Sequence, residues 1–67
     1  MEQGQTVQVT EYGGRQIVRR VVADLGLSVV VCNEEEYLLA KAERRVPDGI
    51  GFPRDSVRQT KQGRSIG

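Results

Sequence analysis

The feature that most constrains this chain is a run of three consecutive valines, Val29 to Val31, inside the apolar stretch Leu27-Ser28-Val29-Val30-Val31-Cys32. Consecutive β-branched residues favour a strand, and a strand with no polar face must be covered on both sides. One side is the domain core. We expect a helix or a second subunit on the other side.

The size of the chain makes that cover important. A chain of 67 residues folds as one small domain and hides only about 60% of its unfolded surface, near the lower limit for independent folding. We therefore expect a partner subunit or a ligand to complete the core.

A hairpin is predicted before the valine run. Thr6-Val7-Gln8-Val9-Thr10 alternates strictly between polar residues and valine. Gly13-Gly14 follows it, and glycines suit a two-residue loop because both loop positions need a positive φ. Counting outward from that loop pairs Tyr12 with Arg15 and Val9 with Val18, which places two valines on one face.

Residues 15–25 fit two structures. Their apolar doublets match one face of a helix, with Gly26 after the last turn. Four of the five apolar residues are β-branched, however, and the Gly-Gly entry offers no N-cap. We favour a strand, with a bulge near Arg19-Arg20 that lets Val18 and Val21 share a face.

A helix is predicted over residues 34–45. Asn33 can cap its first turn, Glu34, Glu35 and Glu36 complement the positive end of the helix dipole, and Val46-Pro47 ends it. These glutamates point in different directions around the helix, so we do not interpret them as a metal site. We expect the helix to dock through Tyr37, Leu38, the Lys41 stem and one alanine.

The rest of the chain contains short elements. Ile50-Gly51-Phe52 is predicted to be a strand, residues 53–56 a single helical turn, and Val57-Arg58-Gln59 the last strand. Residues 60–67 are polar and basic, and we expect them to be a flexible tail.

This order of elements resembles the SH3-like small β-barrels, most closely over Ile50-Gly51-Phe52-Pro53-Arg54-Asp55-Ser56-Val57. The resemblance implies a mainly β fold: a single barrel domain over residues 1–59, with about five short strands, the helix inserted at 34–45 and a helical turn near 53–56. It also implies a binding module. The aromatic groove with which signalling SH3 domains bind Pro-rich peptides has no counterpart here.

Composition excludes several chemistries. The chain has no histidine and one cysteine, Cys32, so a Ser-His-Asp triad, a Cys-His pair, an imidazole metal site and an internal disulfide are impossible. We expect a non-enzymatic cytoplasmic protein that has no cofactor, metal or membrane segment.

Two functional hypotheses remain. The first, which we favour slightly, is protein–protein interaction or self-assembly through a face containing Tyr12, Val29, Val31 and Tyr37. The alternative is nucleic-acid or nucleoprotein binding. Because the net charge is only +1, binding of a polyanion would depend on local arginine clusters, which are Arg15, Arg19, Arg20, Arg44, Arg45 and Arg58.

Overall fold

The mainly β prediction is confirmed by the structure, a computed structural model that describes residues 1–60. The elements are β1 (Thr6–Thr10), β2 (Gln16–Asp24), β3 (Ser28–Cys32), α1 (Glu34–Glu43), β4 (Ile50–Pro53), a 3-10 turn (Arg54–Ser56) and β5 (Val57–Gln59). Of the predicted tail, residues 61–67 lie outside the described part of the chain.

The five strands are antiparallel in the order β4-β3-β2-β1-β5 and form an open sheet. The predicted closure into a barrel is therefore wrong, because β4 and β5 are the two edges and do not pair. The sheet must nevertheless curl. In a flat sheet, four strand spacings would separate β4 from β5 by about 19 Å. The 3-10 turn that joins Pro53 to Val57 spans only about 8 Å.

The predicted register of the first hairpin is wrong by one residue. Val9 pairs with Ile17, and the Glu11 amide donates to the Arg15 carbonyl at 2.6 Å, which makes the loop three residues long. As a result, Ile17 packs against the core and Val18 is 58% exposed. This register places Ile17 and Val21 on the same face without an intervening bulge.

The predicted strand over residues 15–25 is confirmed, but its bulge is in a different place. The register of β2 against β3 shifts between Val21 and Ala23, not at Arg19-Arg20. Val21 lies in the core, and Val22 is also buried. The irregularity therefore falls where two successive valines are both removed from solvent.

The core consists of valine side chains from four strands. Val29 and Val31 of the triple-valine run lie in it, and Val30 on the opposite face is half-buried. On that face Gly49, which lies between α1 and β4 and not in the predicted helix, packs against this strand. A Cβ atom at Gly49 would lie 2.7 Å from the Val31 carbonyl oxygen. The core cluster is Val7, Val9, Val21, Val29, Val31 and Val57.

Helix α1 begins as predicted and ends two residues earlier. The Asn33 side chain accepts a hydrogen bond from the Glu36 amide at 2.6 Å, which is the expected N-cap. Arg44 follows the helix in the left-handed conformation, with φ 56° and ψ 44°. Ala40 is the buried residue of α1. Leu38, which we expected to dock the helix, is half exposed.

Candidate interaction cleft

A cleft of about 380 Å³ lies between β2 and β4, at the end of β3 and the start of α1. The strand registers place Ile17, Val31, Ile50 and Phe52 on the core side of the sheet, so the floor is apolar. Ile50 is 68% exposed. The remaining lining residues are Glu11, Arg19, Cys32, Asn33, Glu36, Asp48 and Gly49.

The polar lining of the cleft is mainly acidic. Arg45 donates to the Glu36 carboxylate at 2.7 Å and the Asp48 amide donates to it at 3.0 Å; these bonds lower the pKa of Glu36. Within residues 1–60, the carboxylates of Glu11 and Asp48 form no ion pair. Three carboxylates line the cleft; Glu36 is paired with Arg45, which leaves Glu11 and Asp48 unpaired beside one cation of the lining, Arg19.

Cys32 is the cysteine of the cleft lining, and its surroundings disfavour the reactive thiolate. Its side chain is buried, and burial raises the pKa of the thiol, as does the nearby Glu36 carboxylate. The protonated thiol is the weakly reactive form. Among residues 1–60 there is also no group of three or more cysteine, aspartate or glutamate side chains placed to hold a metal ion.

Arg20, a candidate polyanion contact, binds groups of its own chain. Its guanidinium donates to both Glu34 carboxylate oxygens, at 2.7 and 3.1 Å, and to the Gly4 carbonyl at 2.7 Å. It also lies over the Tyr37 ring, 4.6 Å from the centroid. The hydrogen bond to Glu34 raises the pKa of Arg20. We call these four residues, Gly4, Arg20, Glu34 and Tyr37, the Arg20 cluster.

The six candidate arginines do not form one surface. Arg19 and Arg20 are consecutive in β2, so their side chains leave opposite faces of the sheet. Arg45 pairs with Glu36 and Glu43. Arg15 lies beside the hairpin loop, Arg44 ends α1 and Arg58 lies on β5; all three are exposed.

The residues of the predicted interaction face are also separated. Tyr12 is fully exposed in the hairpin loop, whereas Val29 and Val31 are buried in the core. Tyr37 is half-buried in the Arg20 cluster. Sequence reasoning did not select Glu11, Asp48, Ile50 or Phe52 as site residues. The signal for the last two is the spacing of Ile50-Gly51-Phe52, which puts both apolar side chains on one face of a strand.

Comparisons with models of known protein families, with curated proteins and with solved structures give no match to this chain. In the described residues, no helix has the length and apolar character needed to span a membrane.

Proposed function

We propose that this chain is a non-enzymatic protein-interaction module that binds its partner in the cleft and along the open edge of β4. The observation that carries the proposal is the exposed Ile50 side chain on an edge strand, next to an apolar floor. An edge strand has unpaired backbone groups that can bind another strand. Ile50 and Phe52, which lie on one face of β4, can then contact every second side chain of that strand.

The order of elements supports the interpretation as an SH3-like module. In the sheet, β1 lies between β2 and β5, and a 3-10 turn joins β4 to β5. We infer that the open sheet is a variant of that plan. Self-assembly is the form of the proposal in which β4 of a second copy binds the cleft.

Nucleic-acid binding is less favoured. Arg20 and Arg45 are already paired with carboxylates of the same chain. The cleft lining also contains two carboxylates that have no ion-pair partner in residues 1–60, Glu11 and Asp48, and these repel phosphates. A steep decrease of nucleic-acid affinity with salt, lost when the exposed Arg15 and Arg58 are replaced, would favour this alternative.

The test is selection of binding peptides from an unbiased random library displayed on phage, against wild type and the Ile50→Lys variant. Ile50 is largely exposed, so a lysine is accommodated without unfolding. The matched control is Leu27→Lys, because Leu27 is 92% exposed but does not line the cleft. Light scattering over a concentration series runs in parallel.

We expect wild type and Leu27→Lys to select the same peptides, or to self-associate equally, and Ile50→Lys to do neither. The proposal fails if no peptide is enriched and wild type stays monomeric. It also fails if Ile50→Lys binds as wild type does.

A further inference from the structure

We infer that the cleft binds a small organic cation, a primary amine carried on a compact apolar body such as an aromatic ring. This goes beyond the proposed function, because a strand added at the open edge lies outside β4, whereas this site lies between β4 and β2. Three properties of the cleft carry the inference: its volume, the breadth of its apolar floor and the charge of its lining.

The size of the cleft suits a small molecule. Its volume of about 380 Å³ lies within the range of small-ligand sites, about 300–1,000 Å³. The lining comes from β2, β3, α1 and β4 and from the loops that carry Glu11 and Asp48. Several elements of the fold therefore shape the site.

The apolar floor selects a broad apolar group. Ile17 comes from β2, and Ile50 and Phe52 come from β4; β3 lies between these two strands. The floor is therefore broader than the gap between two paired strands. Ile17 and Phe52 are half-buried and Ile50 is largely exposed, so a ring laid on them removes more apolar surface from water than a linear methylene stem does.

The charge of the lining selects a cation. Glu11 and Asp48 have no ion-pair partner in residues 1–60, whereas Glu36 is paired with Arg45. Arg19 is the one cation that residues 1–60 place in the lining, so its charge offsets only one of the two free carboxylates. An ammonium group beside them balances the remaining negative charge. Each such exposed pair contributes about two- to fivefold in affinity.

The experiment titrates the 15N-labelled protein with phenethylamine at pH 7 and low salt, and follows the backbone amide signals by NMR. Two matched compounds each remove one property: 2-phenylethanol has the same size without the charge, and ethylamine has the charge without the ring.

For a ligand of this size we expect phenethylamine to bind with a Kd of about 1–10 mM. It should bind about two- to fivefold more tightly than 2-phenylethanol and at least about tenfold more tightly than ethylamine. The amide signals that shift should be those of residues in the cleft lining.

Single substitutions locate the charge recognition. Glu11→Gln and Asp48→Asn should each weaken phenethylamine binding by about two- to fivefold, and Arg19→Gln should strengthen it by a similar factor. Binding of the uncharged 2-phenylethanol should stay the same in all three variants, which separates charge recognition from damage to the fold. The matched control is Glu2→Gln, which removes an exposed carboxylate outside the cleft and should leave the affinity for phenethylamine unchanged.

The inference is overturned if 2-phenylethanol or ethylamine binds as tightly as phenethylamine, or if no amide signal of the lining shifts at about 20 mM phenethylamine. It is also overturned if Glu11→Gln and Asp48→Asn have no more effect than Glu2→Gln. Nα-acetyl-lysine amide carries the ammonium on a linear stem; tighter binding of this compound than of phenethylamine would make a protein side chain the occupant and overturn the inference. Each of these results leaves the proposed function standing, because its test is the selection of peptides that depend on Ile50.

Discussion

Arg19 and Arg20 are neighbours in β2, yet their surroundings differ completely. Arg20 lies on the outer face, where Glu34, the Gly4 carbonyl and the Tyr37 ring surround its guanidinium. Arg19 lies in the cleft, and its Nη1 donates at 2.8 Å to the carbonyl of the adjacent Val18. The outer face thus uses its charge to join the helix and the N-terminal segment to the sheet. In the cleft, Arg19 forms no ion pair with residues 1–60.

Replacing each arginine by alanine is the strongest test of this difference. Arg20→Ala removes a bidentate ion pair, a hydrogen bond to a carbonyl and a cation–π contact, so it should lower the free energy of unfolding by about 2 kcal/mol. Arg19→Ala should cost less than about 0.5 kcal/mol. Urea unfolding measures both values.

Arg20→Lys is the control for this prediction. Lysine keeps the charge but cannot pair with both oxygens of Glu34 at once, so about half of the loss should remain. Equal destabilisation by Arg19→Ala and Arg20→Ala would contradict the distinction between the two faces.

Replacing Gly4 by alanine should have the next largest effect on stability. Gly4 has φ +86°, and a Cβ atom there would lie 2.5 Å from the Tyr37 hydroxyl; Gly13 has φ +95° and open space around it. Both positions have a positive φ, so both alanine variants suffer backbone strain, and only Gly4→Ala also disturbs the Arg20 cluster. We expect Gly4→Ala to be less stable than Gly13→Ala by about 1 kcal/mol in thermal or urea unfolding.

Tyr37→Phe tests the cause of this difference. It removes the hydroxyl that a Cβ atom at Gly4 would meet. In the Tyr37→Phe background, the stability difference between Gly4→Ala and Gly13→Ala should therefore be smaller. An unchanged excess would show that the contact with Tyr37 is not responsible.

Acid should weaken the fold through its paired carboxylates. Hydrogen bonds from Arg20 to Glu34, from Arg45 to Glu36, and from Arg54 and the N-terminal amine to Asp24 hold the pKa of each carboxyl below its usual value. Their contribution to stability is therefore complete above the unfolded-state pKa of about 4. It is lost as the pH falls through that value towards the lower folded-state pKa.

We expect the Tm to fall by a few degrees as the pH is lowered from 5 to 2. The fall should be smaller in Arg20→Ala, because that variant has already lost the Glu34 contribution. An identical pH profile in wild type and Arg20→Ala would show that the Glu34 pair does not stabilise the fold.

The smallest expected effect on stability is that of replacing Val18 on the outer face of β2, compared with Ile17 on its core face. Val18→Thr should change the free energy of unfolding by less than about 0.5 kcal/mol, because Val18 is exposed on the outer face. Ile17→Thr should cost more than about 1 kcal/mol, because Ile17 packs against the core. Equal costs in urea unfolding would contradict the observed register.

Local signals were sufficient for much of this fold. The Asn33 cap, the strand over Val57–Gln59 and the helical turn before it follow from propensities and turn chemistry within a few residues. The hairpin register was missed because Gly13-Gly14 fits a two- and a three-residue loop equally well. Only the burial of Ile17 with Val21 decides between them.

The candidate site was harder to predict from the sequence than the fold was. Glu11 and Asp48 are far apart in the chain, and only the folded structure shows that both line the same cleft. Likewise, nothing in the sequence near Arg20 shows that Glu34 and Gly4 will bind it. Counting arginines could therefore not separate those engaged within the fold from those exposed.

The pairing of β5 with β1 has a consequence for synthesis of this protein. Val9 of β1 pairs with Val57 of β5. Of the five strands, the one synthesised first therefore pairs with the one synthesised last, and the core is complete only when Val57 joins it. A nascent chain that ends before Val57 leaves one edge of β1 open beside the apolar core residues Val7 and Val9. Chains that lack β5 therefore cannot complete the sheet, and they expose an edge that favours aggregation.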